Sequence, residues 1–183
     1  GIITQVGNKV KGVQIGDRVF VSHHVPCNQC RYCQRGNHTA CHTLHTTNYY
    51  PGGFAQYIRV PKINVSCGIY KLPDTMSFEE GTFIEPLACV VHAIRKSKVK
   101  AGDSVALIGT GTMGLLFIEA LRFWGIRDLI VYEVLDWRIK KAQEFGATQV
   151  LIPDKDPEKE AKRFKEILKS NGADKVIIAA KDV

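Results

Sequence analysis

Four cysteines lie within a fifteen-residue segment and could together bind one metal ion. They are Cys27, Cys30, Cys33 and Cys41. Zn²⁺ binds four thiolate sulfurs tetrahedrally at about 2.3 Å, and a structural site of this kind leaves no position open for a substrate. The spacing therefore predicts a closed zinc site whose role is to hold a loop together.

Other interpretations of these cysteines remain open. A disulfide framework would join distant segments, whereas these four share one short loop. A bacterial iron–sulfur run places its next cysteine after three residues and then a proline, but here seven residues separate Cys33 from Cys41, and His42 follows. The spacing favours zinc over an iron–sulfur cluster, disulfides or free thiols.

The two remaining cysteines and the five histidines near the loop are not expected to bind the metal. Cys67 and Cys89 lie in apolar surroundings, and we expect both to be small buried core residues. Five histidines accompany the cysteine loop, and any of them could be recruited as a ligand. Because four cysteines are sufficient, we expect these histidines to be solvated or hydrogen-bonded: His23, His24, His38, His42 and His45.

A glycine-rich segment follows the apolar run 105–108 and precedes a helical pattern. In such a turn the first glycine permits a tight bend, the second lets the backbone approach a pyrophosphate, and the third lets the helix press against the strand. The free N–H groups and the positive end of the helix dipole then face the phosphates. An alternative is a strand–helix corner that binds no ligand. The candidate dinucleotide-binding residues are Gly109, Thr110, Gly111, Thr112, Met113 and Gly114.

Glu133 ends the next apolar run, nineteen residues after Gly114. A carboxylate at this point can accept hydrogen bonds from both hydroxyls of the adenosine ribose, and it would repel an added 2′-phosphate. The spacing therefore favours NAD(H) over NADP(H), although Glu133 could also be an ordinary polar strand end. Arg138 could partner a phosphate, line the adenine face or pair with Glu133.

The apolar pattern changes character along the chain. Up to about residue 71, short apolar runs separated by turn formers predict strands at 2–6, 18–21 and 54–60. Beyond it, Ser77 and Glu80 suggest a capping box. We then expect helices at 83–96, interrupted only near Pro86, and at 113–124, 136–145 and 158–171. These would alternate with strands at 104–108, 129–133, 149–152 and 175–180, a pattern that predicts a parallel sheet.

Composition excludes several classes of protein. The net charge is +7, but the basic residues are scattered and interleaved with acids, so we expect no nucleic-acid partner. Apolar stretches fall far below the roughly 20 residues that cross a bilayer, so we expect no membrane association. A reducing, cytoplasmic location is our default expectation.

Taken together, these motifs resemble the medium-chain dehydrogenase/reductases of the zinc alcohol dehydrogenase type. The resemblance rests on their order: the cysteine loop, a Gly52-Gly53-Phe54 turn, Glu85-Pro86-Leu87 and the glycine-rich turn. It implies an α/β fold in which a partial GroES-like β-barrel with a structural zinc lobe (about 22–50) precedes the first part of a Rossmann doubly wound parallel sheet. The expected domains are 1–85 and an NAD-binding domain at 86–183.

The resemblance further implies a second, catalytic zinc. Glu85 matches a ligand or near-ligand of that metal in the polyol and threonine dehydrogenase branch, although it could instead be a carboxylate that starts a helix. In the family's order the other ligands would precede Gly1. The chain also does not begin with methionine. We therefore expect the 183 residues to be an internal fragment that does not hold a catalytic zinc by itself.

The implied function is hydride transfer between NAD(H) and a secondary alcohol, polyol or hydroxy amino acid. The implied cofactors are zinc and NAD, and the implied assembly is a homodimer or homotetramer. Two alternatives are a non-catalytic NAD(H)-binding sensor that keeps the structural zinc, and a zinc-stapled interaction module.

Overall fold

The computed structural model describes residues 1–181 and divides into two units, Gly1–Glu85 and Pro86–Val183. Across the described residues, no helix is both long and apolar enough to cross a membrane.

The first unit contains one antiparallel strand pair and several short helices. Strand β1 (Val19–Val21) pairs with β2 (Ile69–Lys71), and Phe20 lies opposite Tyr70. The cysteine loop follows β1 directly. The helices are α1 (Arg31–Gln34), a 3-10 helix (His38–Ala40), α2 (His42–Thr46), α3 (Lys62–Gly68) and α4 (Phe78–Gly81).

Two of the three strands predicted for this unit are wrong as strands. The predicted strand at 18–21 is present as β1, but Ile2 forms only an isolated bridge to Arg18. Within the predicted strand 54–60, the pairing is limited to a bridge between Tyr50 and Arg59, and Phe54 is fully exposed. Helix α3 lies in a segment for which the sequence pattern predicts no helix. An apolar run forms a strand only where a partner and a buried face exist.

The second unit contains a four-stranded parallel sheet. Its strands lie in the order β5-β4-β3-β6, with β3 and β4 at the centre. The predicted doubly wound parallel sheet is confirmed. The strands are β3 (Val105–Ile108), β4 (Leu129–Tyr132), β5 (Gln149–Leu151) and β6 (Lys175–Ile178), and the helices are α5 (Ile84–Lys96), α6 (Thr112–Phe123), α7 (Asp136–Glu144) and α8 (Pro157–Leu168).

The core of the second unit forms where the central strands meet α6. Leu107 and Val131 are fully buried on the strands, and Ile118 and Leu121 are fully buried on the helix. Removing a buried leucine side chain of this kind costs about 2–5 kcal/mol. This packing fixes the position of the turn that connects β3 to α6.

Helix starts follow local capping rules. The predicted capping box is confirmed: Glu80 N–H donates to Ser77 Oγ at 3.0 Å, and Ser77 N–H donates to Glu80 Oε2 at 2.7 Å. It caps the short helix α4, and α5 starts separately. Pro86 lies in the first turn of α5 and does not interrupt it, because a helix tolerates proline where its backbone N–H would have no partner.

Candidate metal centre and cofactor turn

The four predicted cysteine ligands form one cluster, with every pair of their Sγ atoms within 4.8 Å. The Cys27–Cys33, Cys30–Cys33 and Cys27–Cys41 sulfur pairs are 4.0, 3.5 and 3.7 Å apart. A tetrahedral ion about 2.3 Å from each sulfur needs sulfurs about 3.8 Å apart, whereas a disulfide needs about 2.05 Å. The cluster therefore fits a tetrahedral metal ion.

Short helices bring these sulfurs together. Cys30 precedes α1 and Cys33 lies within it, while Cys41 joins the 3-10 helix to α2. The backbone N–H of Cys27 points at Cys41 Sγ, and that of Cys30 points at Cys27 Sγ, both at 3.4 Å. Backbone hydrogen bonds therefore help to orient the sulfurs of the cluster.

The thiols of the cluster differ in acidity. The hydrogen bond from the Cys27 backbone lowers the pKa of Cys41 to about 5, whereas burial raises the pKa of the Cys33 thiol to about 12. A metal ion binds cysteine as the thiolate. Zinc binding would therefore release one proton from each thiol that is still protonated, and Cys33 is one of these.

The nearby histidines lie outside the cluster. The four cysteines are the only group of three or more potential ligands within the described residues 1–181, and no histidine belongs to it. His24 Nδ1 lies 2.8 Å from the Thr47 carbonyl oxygen, and His45 Nε2 lies 2.7 Å from that of Thr39. The prediction that Cys89 is buried is wrong, because it lies exposed on α5, and Cys67 is only half-buried.

Three residues that support the loop were not identified from sequence. Tyr49 donates to the Val21 carbonyl at 2.6 Å, and Thr47 Oγ1 accepts from Val25 N–H at 2.9 Å. Asn64 is fully buried and donates to the carbonyls of Ser22 and His23, both at 2.9 Å. Its helix α3 was not predicted, so no sequence signal pointed to it.

The glycine-rich turn lies at the carboxyl end of β3 and leads into α6. Gly109 has φ +91°, a conformation that favours glycine. A Cβ on Gly114 would lie 2.1 Å from the Gly109 carbonyl oxygen, so a side chain does not fit there. A Cβ on Gly111 would meet nothing within 4 Å. The space above Gly111 is open to a ligand, as a pyrophosphate-binding turn requires.

The start of α6 is open to an anion. Gly111 is its N-cap and supplies no side-chain cap, and Thr112 and Met113 are exposed. The N-terminus of a helix favours negative charge through its backbone N–H groups and its dipole. Together with the space above Gly111, this arrangement can hold a phosphate group.

Glu133 follows β4 and is buried beside the turn, with 6% of its surface exposed. Its Oε2 accepts from the Thr110 N–H at 2.9 Å and the Thr110 hydroxyl at 2.7 Å. Its Oε1 accepts from the N–H groups of Val134 and Leu135, at 2.8 and 3.1 Å. Burial raises the pKa of Glu133, but these hydrogen bonds outweigh burial and hold it below its usual value. The carboxylate is therefore ionised at neutral pH.

Arg138 lies next to this acid. Its Nη1 is 3.9 Å from Glu133 Oε2, and its guanidinium carbon is 5.1 Å from the centre of the Trp137 ring. Its Nε is buried and has no hydrogen-bond partner among the described residues. Arg138 therefore lies within ion-pair distance of Glu133, while its Nε–H donates no hydrogen bond to the described residues.

Glu85 lies exposed in the first turn of α5. It belongs to no group of three or more potential metal ligands within residues 1–181. The described part of the chain thus does not assemble a second metal centre around Glu85.

Comparisons with known proteins give consistent matches. Residues 1–74 match the model of the alcohol dehydrogenase GroES-like domain. The chain is 34% identical over 85% of its length to a probable D-xylulose reductase A from Aspergillus clavatus. It is 32% identical over 83% of its length to a sorbitol dehydrogenase from Bombyx mori. The chain spans 43% of the length of each of these two relatives.

A solved structure agrees in fold. It is a protein from Sinorhizobium meliloti 1021, assigned as a zinc-binding dehydrogenase and bound to NADP. The TM-score is 0.82 at 31% identity, covering 98% of this chain and 52% of that one.

Proposed function

Because this chain belongs to the medium-chain dehydrogenase/reductase family of the zinc alcohol dehydrogenase type, we propose that it serves zinc-dependent oxidoreduction with a nicotinamide dinucleotide. In the proposed reaction a hydride passes between NAD(H) and a secondary alcohol, polyol or hydroxy amino acid. The observation that carries this proposal is the ionised Glu133 beside an open glycine turn, at the carboxyl ends of two neighbouring parallel strands. Ligands of open α/β sheets bind at this edge.

The glycine turn and the start of α6 bind the pyrophosphate in this proposal. Gly111 gives the backbone access, and the N–H groups of Thr112 and Met113 face the phosphate oxygens. In this proposal Glu133 meets the adenosine ribose, and its charge disfavours a 2′-phosphate. The bound dinucleotide supplies the hydride chemistry, and the protein supplies binding and orientation.

The structural zinc belongs to the four-cysteine cluster. Cys27, Cys30, Cys33 and Cys41 would fill all four positions of a tetrahedral ion, so this metal holds the loop and meets no substrate. A catalytic zinc would polarise the substrate oxygen as a Lewis acid. Glu85 is the candidate ligand in this chain, and the described residues do not complete that site, so we derive no step from it.

The proposed substrate class comes from the relatives. One is named for D-xylulose and another for sorbitol, both polyhydroxylated carbon chains. A polyol is therefore the first substrate to test.

The first experiment measures metal content and NADH binding of the 183-residue protein. We expect one zinc per chain by elemental analysis, and an increase in NADH fluorescence that saturates. A protein that binds zinc but not NADH would instead be a zinc-stapled interaction module. Loss of the zinc in Cys41→Ser would identify the cluster as its ligand set.

Turnover separates an enzyme from a sensor. Measured on the complete reading frame that encodes this chain, two zinc ions per chain and a polyol-dependent reduction of NAD would support the oxidoreductase. One zinc ion per chain, with NADH binding and no turnover, would support the NAD(H)-binding sensor instead.

A further inference from the structure

Thr110 lies between two glycines of the turn and hydrogen-bonds to Glu133, a contact that the glycine pattern does not describe. The pattern leaves this position unspecified, yet Thr110 is 1% exposed and contributes two of the four hydrogen bonds that Glu133 accepts. The two residues are twenty-three positions apart in the chain.

The hydroxyl has a specific partner. A buried hydroxyl without a hydrogen bond is costly, and a valine of the same shape would fill this space without any polar group. The contact to Glu133 Oε2 at 2.7 Å satisfies the hydroxyl and is charge-assisted, the stronger type of hydrogen bond. A β-branched side chain has few χ1 rotamers, so the hydroxyl direction is well defined.

Arg138 competes for the same oxygen. Its Nη1 is 3.9 Å from Oε2, within ion-pair range but too long for a hydrogen bond. Thr110 occupies the shorter contact. Loss of the Thr110 hydroxyl would let Arg138 pair directly with the carboxylate and neutralise much of its charge.

We propose that Thr110 is a positioning residue that sets dinucleotide selectivity by holding Glu133 Oε2 beside the glycine turn. The proposal rests on the proposed function. Held by Thr110, the carboxylate keeps a fixed position and a charge that Arg138, at 3.9 Å, compensates only in part, so it favours a ribose hydroxyl over a 2′-phosphate. Without the hydroxyl, NADH loses a fixed partner and NADPH meets less repulsion.

The test is the ratio of the dissociation constants of NADPH and NADH, measured by fluorescence titration of the 183-residue protein. Thr110→Val keeps the shape and removes the donor, and we expect the ratio to fall about tenfold, equivalent to about 1.4 kcal/mol. Thr110→Ser keeps a hydroxyl and should restore the wild-type ratio. A purely structural role would change the melting temperature and leave the ratio unchanged.

Thr148→Val is the matched control. The Thr148 hydroxyl accepts from Leu129 N–H at 3.2 Å. Leu129 is the first residue of β4, whereas Glu133 follows the last one, so this contact lies at the far end of β4 from the glycine turn. Its loss should leave the ratio unchanged. If Thr110→Val does not fold, Thr110→Ala replaces it, since it removes the same donor without adding volume.

A double-mutant cycle tests whether Thr110 affects the NADPH/NADH ratio through Glu133. In a Glu133→Gln background the acid is neutral, so Thr110→Val should no longer change the ratio. An unchanged effect in that background, or an unchanged ratio in Thr110→Val itself, refutes the positioning role. A wild-type protein that binds neither dinucleotide refutes the proposed function, which is a different result.

Discussion

Two alanine substitutions in the glycine turn should separate the effect on stability from the effect on NADH binding. At Gly114 the new Cβ would lie 2.1 Å from the Gly109 carbonyl oxygen, and contacts below 3.0 Å are essentially never seen. The strand end and α6 must therefore separate by roughly 1 Å, and overpacking of this kind costs about 1–3 kcal/mol. Alanine also favours a helix over glycine by about 1 kcal/mol, which offsets part of that cost.

We therefore expect Gly114→Ala to lower the free energy of unfolding by up to about 2 kcal/mol, the overpacking cost less the helical gain. This corresponds to a fall in melting temperature of up to roughly 16 °C for a unit of this size. NADH binding should weaken as well, because the turn has moved.

Gly111→Ala is the matched control, because its Cβ enters open space and its φ of −66° suits alanine. Its free energy of unfolding should fall by less than about 1 kcal/mol, the cost of placing alanine at an N-cap where glycine is preferred. Its NADH dissociation constant should nevertheless rise at least tenfold, since the methyl group occupies the approach of the pyrophosphate. Differential scanning fluorimetry and NADH titration measure the two effects. Wild-type affinity in Gly111→Ala would show that no ligand approaches this backbone.

The remaining predictions concern the metal, the buried acid and the core. Chelation of zinc, or Cys41→Ser, should reduce bound zinc from one per chain to none by elemental analysis and increase proteolysis in the loop 22–50. Because the folded pKa of Glu133 lies below its ordinary value of 4.5, its contribution to stability is present above pH 4.5 and is lost as the pH falls through the folded pKa. Glu133→Gln should therefore flatten the acid limb of a denaturant-unfolding series. Leu107→Ala should cost about 2–5 kcal/mol in the same assay.

The parts of the fold that could be predicted are those in which local sequence and tertiary packing agree. The run 105–108 is apolar at every position, as a strand buried on both faces must be, and it became β3. The cysteine spacing likewise selects tetrahedral sulfur geometry, because few other centres accept four sulfurs in so short a loop.

The failures have a physical cause as well. Phe54 and Tyr57 looked like strand residues, but both are exposed, so their apolar character reflects no buried face of this unit. The sequence does not identify Asn64, because its hydrogen-bond partners are backbone carbonyls forty-one and forty-two positions earlier in the chain. Every residue has a backbone carbonyl, so no residue type marks such a partner. Thr110 was assigned to the turn, but its contact with Glu133 depends on how β3 and β4 pair.

The two candidate sites handle buried negative charge in different ways, and this difference predicts how each responds to loss of its ligand. The carboxylate of Glu133 accepts four hydrogen bonds from its own chain, so the charge is satisfied without a dinucleotide. Four sulfurs lie within 4.8 Å of one another, and the two backbone N–H groups that point at them supply no net positive charge. Without metal, Cys33 keeps its proton, because burial raises its pKa to about 12. A divalent ion lets all four thiols ionise and holds them at one centre. Removing NADH should therefore lower the melting temperature of the second unit only by the small amount that loss of a bound ligand causes through mass action. Removing zinc should loosen the cysteine loop itself.

Hydrogen exchange of backbone amides, compared with and without each ligand, measures both responses. Strong protection of the loop in the zinc-free protein would contradict the assignment of the cluster as a structural metal site.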